Sequence, residues 1–572
     1  MVNVKNLFGM AVMATALVGC SSNDNLAPDG KDNVGKPGEA YASFTINLPT
    51  TSGTRAVDPK TGTEFVEGTA AEYEVKNGTI LIFDATTDKY VTKADLGTMN
   101  PWTDVKTNGV TTSAIATVKL TGVSTTGSYK ALVLLNNNSE TTPKVTLPTT
   151  ADTYTSWSKD VDKANADRYV STDGIFMANA PKYESDTEDP TTLVKINHVC
   201  ASPEEAQAKA ATVVYVERGL AKVTMEDFTT RVYSIDAGTY EGGNVEIKAW
   251  QLDVTNKFTF PVHQIYDLSS TTKGFADIWK TARFYDGTNT AFKRVYWGVD
   301  PNYNNSDYQT LENCKTAFNM ITKDKVVGEA GKDHPQYCLE NTFDLDNMKQ
   351  GQTTRVVFKA VFTPKGFESA TDKTFYKIGN NTAIWTKAKL EDQIKTVALT
   401  AMGITSAAEQ AKYGVDLTKG SNISGVAGQH LIAAENITFD PGEGTTTSQV
   451  TPAIVNTVNE KLGLKEEGGK ITTGISTYLN GEAYYIARIK HFNELTPWKA
   501  GEAYDSNNEK YLGRYGVLRN NWYDLSVTSI SGLGYPDVPE VKPTVPDDEN
   551  EQYINVEVKI LSWAKRSQQI KL

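Results

Sequence analysis

The two ends of this chain carry the same pattern, a short segment in which every second residue is apolar. Near the start, Ala42, Phe44, Ile46 and Leu48 alternate with Tyr41, Ser43, Thr45 and Asn47. Near the end, Ile554, Val556, Val558 and Ile560 alternate with Asn555, Glu557 and Lys559. Side chains on a strand point to opposite faces in turn, so period two marks a strand with one buried face. The chain therefore begins and ends on strands that each need a sheet to join. The second lies beyond residues 534–552, where Pro536, Pro539, Pro543 and Pro546 are joined by Asp537, Glu540, Asp547, Asp548, Glu549 and Glu551. Prolines stiffen such a segment and like charges extend it, so it reads as a linker. The 17 residues from Pro536 to Gln552 would reach roughly 55 Å at about 3.3 Å each. A self-contained domain rarely leaves its last strand beyond a tether of this kind. Apolar parity then switches at Leu561 and Trp563, which predicts a bulge or bend.

Between these ends the chain reads as all-β with minor helical insertions. Thr, Val, Tyr and Gly recur in short alternating runs. Strands are predicted at 79–83, 115–120, 129–135, 212–216, 220–225, 245–252, 294–299, 354–362, 483–489 and 523–530. Two stretches look helical. Thr451-Pro452 supplies a cap and a first-turn proline ahead of Ile454, Val455, Val458 and Leu462, and Leu390, Ile394, Val397 and Ala401 share a face within 385–413. Both read as insertions packed on a sheet. At 572 residues the chain exceeds one ordinary core and suggests two to four domains. Its 39% hydrophobic content is enough to fill them. A net charge of −12 argues against nucleic acid, which would need basic patches, and fits an extracellular surface.

The first twenty residues read as a targeting segment. Lys5 precedes an apolar run from Leu7 to Val18, and Leu17-Val18-Gly19-Cys20 has the form of a lipobox. The run is too short to span a bilayer as a helix, so it is processed rather than structural. Cys20 is then the lipidated first residue of the exported chain, held by acyl chains whose buried methylenes contribute about 0.8 kcal/mol each. Of the remaining cysteines, Cys314 and Cys338 have a spacing that permits a disulfide in an oxidising envelope, and three buried thiols are an equal alternative.

Catalytic and cofactor signals are sparse. His198, His263, His334, His430 and His491 stand singly, without H-E-x-x-H or a Cys-His grouping, and each reads as a structural histidine. There is no G-x-S-x-G elbow and no phosphate loop; Gly532 and Gly534 are an isolated pair. Asp300, Asn302 and Asn304 imitate the first ligands of a calcium loop, but Asn305 and Leu311 stand where Gly and Glu are required, so the segment reads as an Asn-rich turn. Nine Trp and 27 Tyr suit sandwich cores better than sugar platforms. No enzyme activity, metal or cofactor is expected.

Several segments, in order along the chain, resemble the fimbrillins of Bacteroidetes-type pili, closest to the short-fimbria major-subunit group. They are Tyr129 to Asn138 (YKALVLLNNN), Gly174 to Pro181 (GIFMANAP), Val216 to Thr224 (VERGLAKVT), Trp250 to Pro261 (WQLDVTNKFTFP) and Arg294 to Tyr303 (RVYWGVDPNY). Tyr337 to Asp344 (YCLENTFD), Tyr484 to Phe492 (YYIARIKHF) and Gly513 to Pro536 (GRYGVLRNNWYDLSVTSISGLGYP) follow, the last being the most specific. Long insertions, above all 366–470, depart from the pattern. The resemblance implies two consecutive transthyretin-like β-sandwich domains and assembly by strand exchange. A lipoprotein precursor at the cell outer membrane is cut by an arginine-specific, gingipain-like protease in the loop after the first strand, between Arg55 and Ala56. The displaced strand (Ala42, Phe44, Ile46, Leu48) leaves, and the donor strand of another copy (Ile554, Val556, Val558, Ile560, Leu561, Trp563) fills the groove.

On this reading residues 1–19 are a signal peptide and 20–55 a propeptide with the first strand. The N-terminal sandwich covers 56–210 and the C-terminal one 211–533, followed by the linker at 534–552 and the donor strand at 553–572. The implied partners are other copies of the chain, anchor and tip subunits of the pilus, the processing protease and, before maturation, the outer membrane; the mature form belongs to the extracellular fimbrium. Two alternatives stay open: a lipid-retaining anchor or accessory subunit, and a monomeric surface glycan-binding lipoprotein.

Overall fold

A computed structural model describes residues 39–48, 65–66, 70–96, 113–138, 143–171, 174–183, 190–265, 293–295, 297–442, 447–491, 513–547 and 554–563. Cys20, Arg55 and Ala56 lie outside the described residues.

The first sandwich is built from β1 (Glu39–Asn47), β2 (Gly78–Asp84), β3 (Tyr90–Asp95), β4 (Ser113–Thr121), β5 (Tyr129–Leu135), β6 (Met177–Asn179) and β7 (Thr212–Arg218). They form one hydrogen-bonded order, β3-β2-β5-β6-β7-β1-β4. The sheet folds over at β7, whose residues serve two partners. Val216 to Arg218 pair with β6, whereas Thr212 to Tyr215 run parallel to Phe44 to Asn47 of β1. Between the two leaves lies a core that includes Ile80, Ile82, Val133 and Leu135 from one side and Ala42, Phe44, Ile46, Val118 and Leu120 from the other. The opposite face of β2 and β5 is also covered. Leu81, Phe83, Leu132 and Leu134 join Trp157, Phe176, Leu339 and Trp522 in a cluster that binds this sandwich to the next. Burial on both faces explains why these two strands read as unbroken apolar runs.

The second sandwich begins directly after β7, so the boundary lies near Leu220 rather than at the expected 210/211. One leaf holds β8 (Ala221–Met225), β10 (Gly331–Cys338), β16 (Asn521–Ile530) and β17 (Ile554–Trp563). The other holds β9 (Asn244–Asp253), β11 (Arg355–Thr363) and β15 (Glu482–Arg488). The first leaf has the order β17-β16-β8-β10, with Phe65–Val66 outside β17; in the second, β9-β11-β15, Tyr233–Ser234 flanks β9. Trp250, Phe358, Phe362, Tyr485, Tyr523 and Leu525 lie in the core between them. Of the segment expected as a strand at 294–299, the described residues form a two-residue strand, Lys293–Arg294, against Lys182–Tyr183, followed by a bridge residue at Val295.

An inserted unit separates β11 from β15. It packs α2 (Lys387–Met402) and α3 (Pro452–Lys461) on a small sheet of β12 (Phe375–Ile378), β13 (Gly428–His430) and β14 (Ile475–Tyr478), in the order β12-β14-β13. Thr386 and Thr451 cap the two helices by accepting from Lys389 and Ile454 amides. Gly403 ends α2 at φ 72°, where its N–H reaches the Leu399 and Thr400 carbonyls; this left-handed position suits glycine and divides the expected 385–413 stretch. A short helix, α1 (Pro203–Ala208), lies over β1 and β4. Among the described residues no helix is long and apolar enough to cross a membrane.

Candidate assembly site

β1 is the middle strand of the second leaf. It pairs antiparallel with β4 over nine residues, from Glu39↔Thr121 to Asn47↔Ser113, and parallel with β7 over four. Its inward row, Ala40, Ala42, Phe44 and Ile46, is fully buried, with Leu48 at 7% exposure. The outward row is held too. The Ser43 hydroxyl donates to the Ala206 carbonyl of α1 at 2.9 Å and lies 2.8 Å from the Thr117 hydroxyl. Tyr41 and Cys200 exchange both backbone hydrogen bonds at 2.8 Å. Removing β1 would leave two ladder edges without a partner and open a groove lined by Val118, Leu120, Val214 and Val216.

β17 pairs antiparallel with β16 of its own sandwich over nine positions, from Asn521↔Ser562 to Ile530↔Ile554. The register sets Ile560, Val558, Val556 and Ile554 opposite Tyr523, Leu525, Val527 and Ile530, all four of which are buried. Val556 packs against the same core. Trp522↔Leu561 and Asn521↔Ser562 continue the regular ladder, so the expected irregularity at Leu561 and Trp563 is absent; it falls on β16 between Val527 and Ser529. On the outer edge, Phe65 and Val66 pair in parallel with Ser562 and Trp563.

The linker is docked rather than free as far as Asp547. Tyr535 exchanges backbone hydrogen bonds with Tyr484 of β15 at 2.8 Å. Arg355, itself paired with buried Asp253 at 2.8 Å, donates to the Pro539 carbonyl at 2.8 Å. Val541 is buried beside Val254, Tyr308, Cys314 and Phe318. The Gln350 amide donates to the Val545 carbonyl, the Asp547 amide to the Met348 carbonyl, and the Thr353 hydroxyl to the Asp547 carboxylate, which is fully buried. Surface pairs of Lys323 with Asp537 (3.6 Å) and Lys470 with Glu540 (3.1 Å) add little, being screened by water. Composition hid this docking. The available signal was the pair Val538 and Val541, which a purely solvated tether does not need.

A polar cluster of Glu72, Arg218, Lys222 and Tyr337 joins the two sandwiches. The Glu72 carboxylate meets Lys222 at 2.7 Å and accepts from the Tyr337 hydroxyl at 2.6 Å, while Arg218 donates to the Glu72 carbonyl at 3.0 Å. Burial raises the Glu72 carboxyl, but the Lys222 charge and these hydrogen bonds outweigh it and hold it below the ordinary value. Lys222 also sits 3.6 Å over the Trp522 ring. Full pairing is what makes such burial tolerable, and the cluster fixes one sandwich on the other.

The other residues singled out in the sequence have structural surroundings. His263 is buried between Glu217 (2.6 Å) and the Trp297 carbonyl (3.2 Å), and His491 meets the Tyr523 hydroxyl at 2.8 Å. His430 meets the Val426 carbonyl at 2.8 Å, and His334 pairs with Glu329 at 3.3 Å. His198 is exposed. Asp300 accepts from the amides of Asn302 and Thr342, and Asn302 donates to Asn256, so the turn spends its polar groups on the fold. Among the described residues no group of three or more His, Cys, Asp or Glu is placed to hold a metal. Cys200, Cys314 and Cys338 are buried free thiols, so the disulfide alternative is not formed. Trp250, Trp297 and Trp522 are fully buried.

Residues 476–569 match the family described as major fimbrial subunit protein type IV, fimbrillin, C-terminal. The matched span takes in β15, β16, the docked linker and β17. Among solved structures, a fimbrial assembly protein from Parabacteroides distasonis is similar at 14% identity, over 60% of this chain and 94% of that one, with a TM-score of 0.27. No curated protein matches the chain.

Proposed function

With its C-terminal region of fimbrillin type, we propose that this chain is a structural, non-catalytic stalk subunit of a bacterial surface pilus that polymerises by protease-triggered strand exchange and supports adhesion. The observation that carries the reading is β1. It fills the middle of a leaf with every inward side chain buried, yet it precedes the small polar stretch around Arg55. A strand held by non-covalent contacts on both edges and by one chain connection can be exchanged once that connection is cut. Before the cut it competes at high effective concentration and excludes a donor from another copy. In this account the precursor is held at the outer membrane by lipid on Cys20. An arginine-specific protease cuts between Arg55 and Ala56, and residues 553–572 of a neighbour take the place of Ala42, Phe44, Ile46 and Leu48. Anchor and tip subunits would complete the pilus.

The test is electron microscopy with N-terminal sequencing of surface-assembled protein. Filaments whose subunits begin at Ala56 support the reading; filaments that retain residues 41–48 overturn it. One observation favours the second reading, a lipid-retaining anchor or a monomeric glycan-binding lipoprotein. Both terminal strands are seated in their own sandwiches, as a chain complete in itself requires. Surface protein that keeps its lipid and its first strand would select that reading.

A further inference from the structure

We infer that linker residues 535–547 stay docked on their own subunit during assembly, so that the C-terminal strand reaches a second copy of this chain from a fixed point at Asp547. The inference rests on the strand-exchange reading above and specifies the partner contact it needs. Undocking would strip Val541 from its apolar pocket and leave buried Arg355 without the Pro539 carbonyl. It would also remove the Asp547 carboxylate from the Thr353 hydroxyl and its amide from the Met348 carbonyl. None of these contacts involves β17, so departure of β17 gives no reason for them to break.

The consequence is geometric. Six residues, 548–553, separate the clamp from β17, and at about 3.3 Å each they span roughly 20 Å. A linker free from Pro536 would span more than twice that. On so short a lead the strand reaches only a copy already in contact. The acceptor groove therefore opens against the face around Lys349, Pro546 and Asp547, where Lys349 and Pro546 form a backbone bridge. The pilus is then a stack of abutting bodies, not a string of beads.

A staple tests this. The point where a side chain on Gly351 would begin lies 2.7 Å from the Cys314 thiol and 2.9 Å from the Pro543 Cα, so these two are at most about 5.6 Å apart, and Pro543→Cys is the variant in which to form a disulfide with Cys314. The oxidised full-length variant, once cut by the arginine-specific protease, should polymerise within about threefold of the rate of its reduced form, because the effective concentration of the strand is unchanged. Polymerisation by the reduced form alone would show that the linker must undock and would overturn the inference. Should Pro543→Cys itself disturb folding, hydrogen exchange on the wild-type polymer decides. The Tyr535 and Asp547 amides should keep their monomer protection, and a loss of about tenfold or more overturns the proposal. If the cut wild-type chain forms no polymer at all, strand exchange itself is refuted and this inference falls with it.

Discussion

Replacing Phe44 by Ala separates a strand that is exchanged from one that is merely buried. Phe44 has no exposed surface, faces the core between the two leaves, and stands in register with Ala116 of β4 and Thr212 of β7. Truncating a buried Phe to Ala costs about 3–5 kcal/mol, and at about 1.4 kcal/mol per factor of ten the hold of β1 on its groove falls by on the order of 10²–10⁴-fold. The uncut variant should therefore unfold at lower denaturant and label faster at Cys200, a thiol 1% exposed whose backbone bonds to β1 at Tyr41. After the cut its polymerisation should start sooner, since release of β1 precedes donor binding. The finished polymer should match the wild type in denaturant, because residue 44 is no longer in it. Variant polymer weakened by the same margin as the uncut chain would show β1 still in place and would refute the exchange. An uncut variant losing under about 1 kcal/mol would refute the packing argument.

Replacing Arg55 by Ala should trap full-length, lipid-bearing monomer at the membrane; intact mass and acyl labelling check this, and normal filaments would show that another bond is cut. Cys20→Ala should abolish acyl labelling and surface assembly, and assembly at wild-type levels would remove the lipid from the pathway. Val556→Asp places a charge beside the buried core opposite Val527, at a cost of several kcal/mol in any apolar groove, so the variant should fold without forming long fibres. Burial, with the Glu340 charge adding to it, raises the Asp300 carboxyl from 3.8 to about 7. Between those values the native state holds a proton that the unfolded state lacks. Stability from this group is therefore complete at low pH and is lost as pH rises through about 7. Asp300→Asn should flatten that slope in denaturation midpoints between pH 5 and 7.5, and parallel profiles would show Asp300 already ionised at pH 5.

Much of the fold was legible where local pattern and tertiary demand agree. Tyr129–Leu135 is a strand with the expected bounds, and Thr451-Pro452 starts a helix where its cap chemistry says it should. The misreadings share one physical cause, contacts distant in sequence. The stretch 294–299 is rich in strand formers, yet Trp297 is buried from a loop, which composition cannot tell from a ladder. Thr212–Arg218 closes the first sandwich because it pairs with β1, far back in the chain, and this places the boundary beyond 210. The linker reads as a repelling tether until Arg355, Thr353 and the pocket around Val541 are brought beside it. The alternation of the two terminal strands was visible at once. Which sheet each joins was not, since period two fixes a buried face and leaves the partner open.

That ambiguity bears on the energetics of exchange. The alternation of β17 is accounted for at home, where its register meets Tyr523, Leu525, Val527 and Ile530, so apolar patterning alone does not favour a neighbour's groove. Proximity favours home as well. The difference lies at the second edge. At home, among the described residues, β17 has nine paired positions on β16 and two, at Phe65–Val66, on its other side. The place of β1 offers nine on β4, four on β7 and the Tyr41–Cys200 bridge besides. A donor in that place gains about three paired positions, and at about 0.5–1.5 kcal/mol per hydrogen bond this amounts to a few kcal/mol. It also moves from beside a two-residue strand to the middle of a leaf, between two longer ones. In the proposed exchange, such a margin would drive polymerisation only after β1 had gone, because β1 has the same ladders without leaving its own chain. On the proposed reading, the cut at Arg55 would make the more completely paired site available, and the strength of the filament would follow from how thoroughly β1 was held before it left.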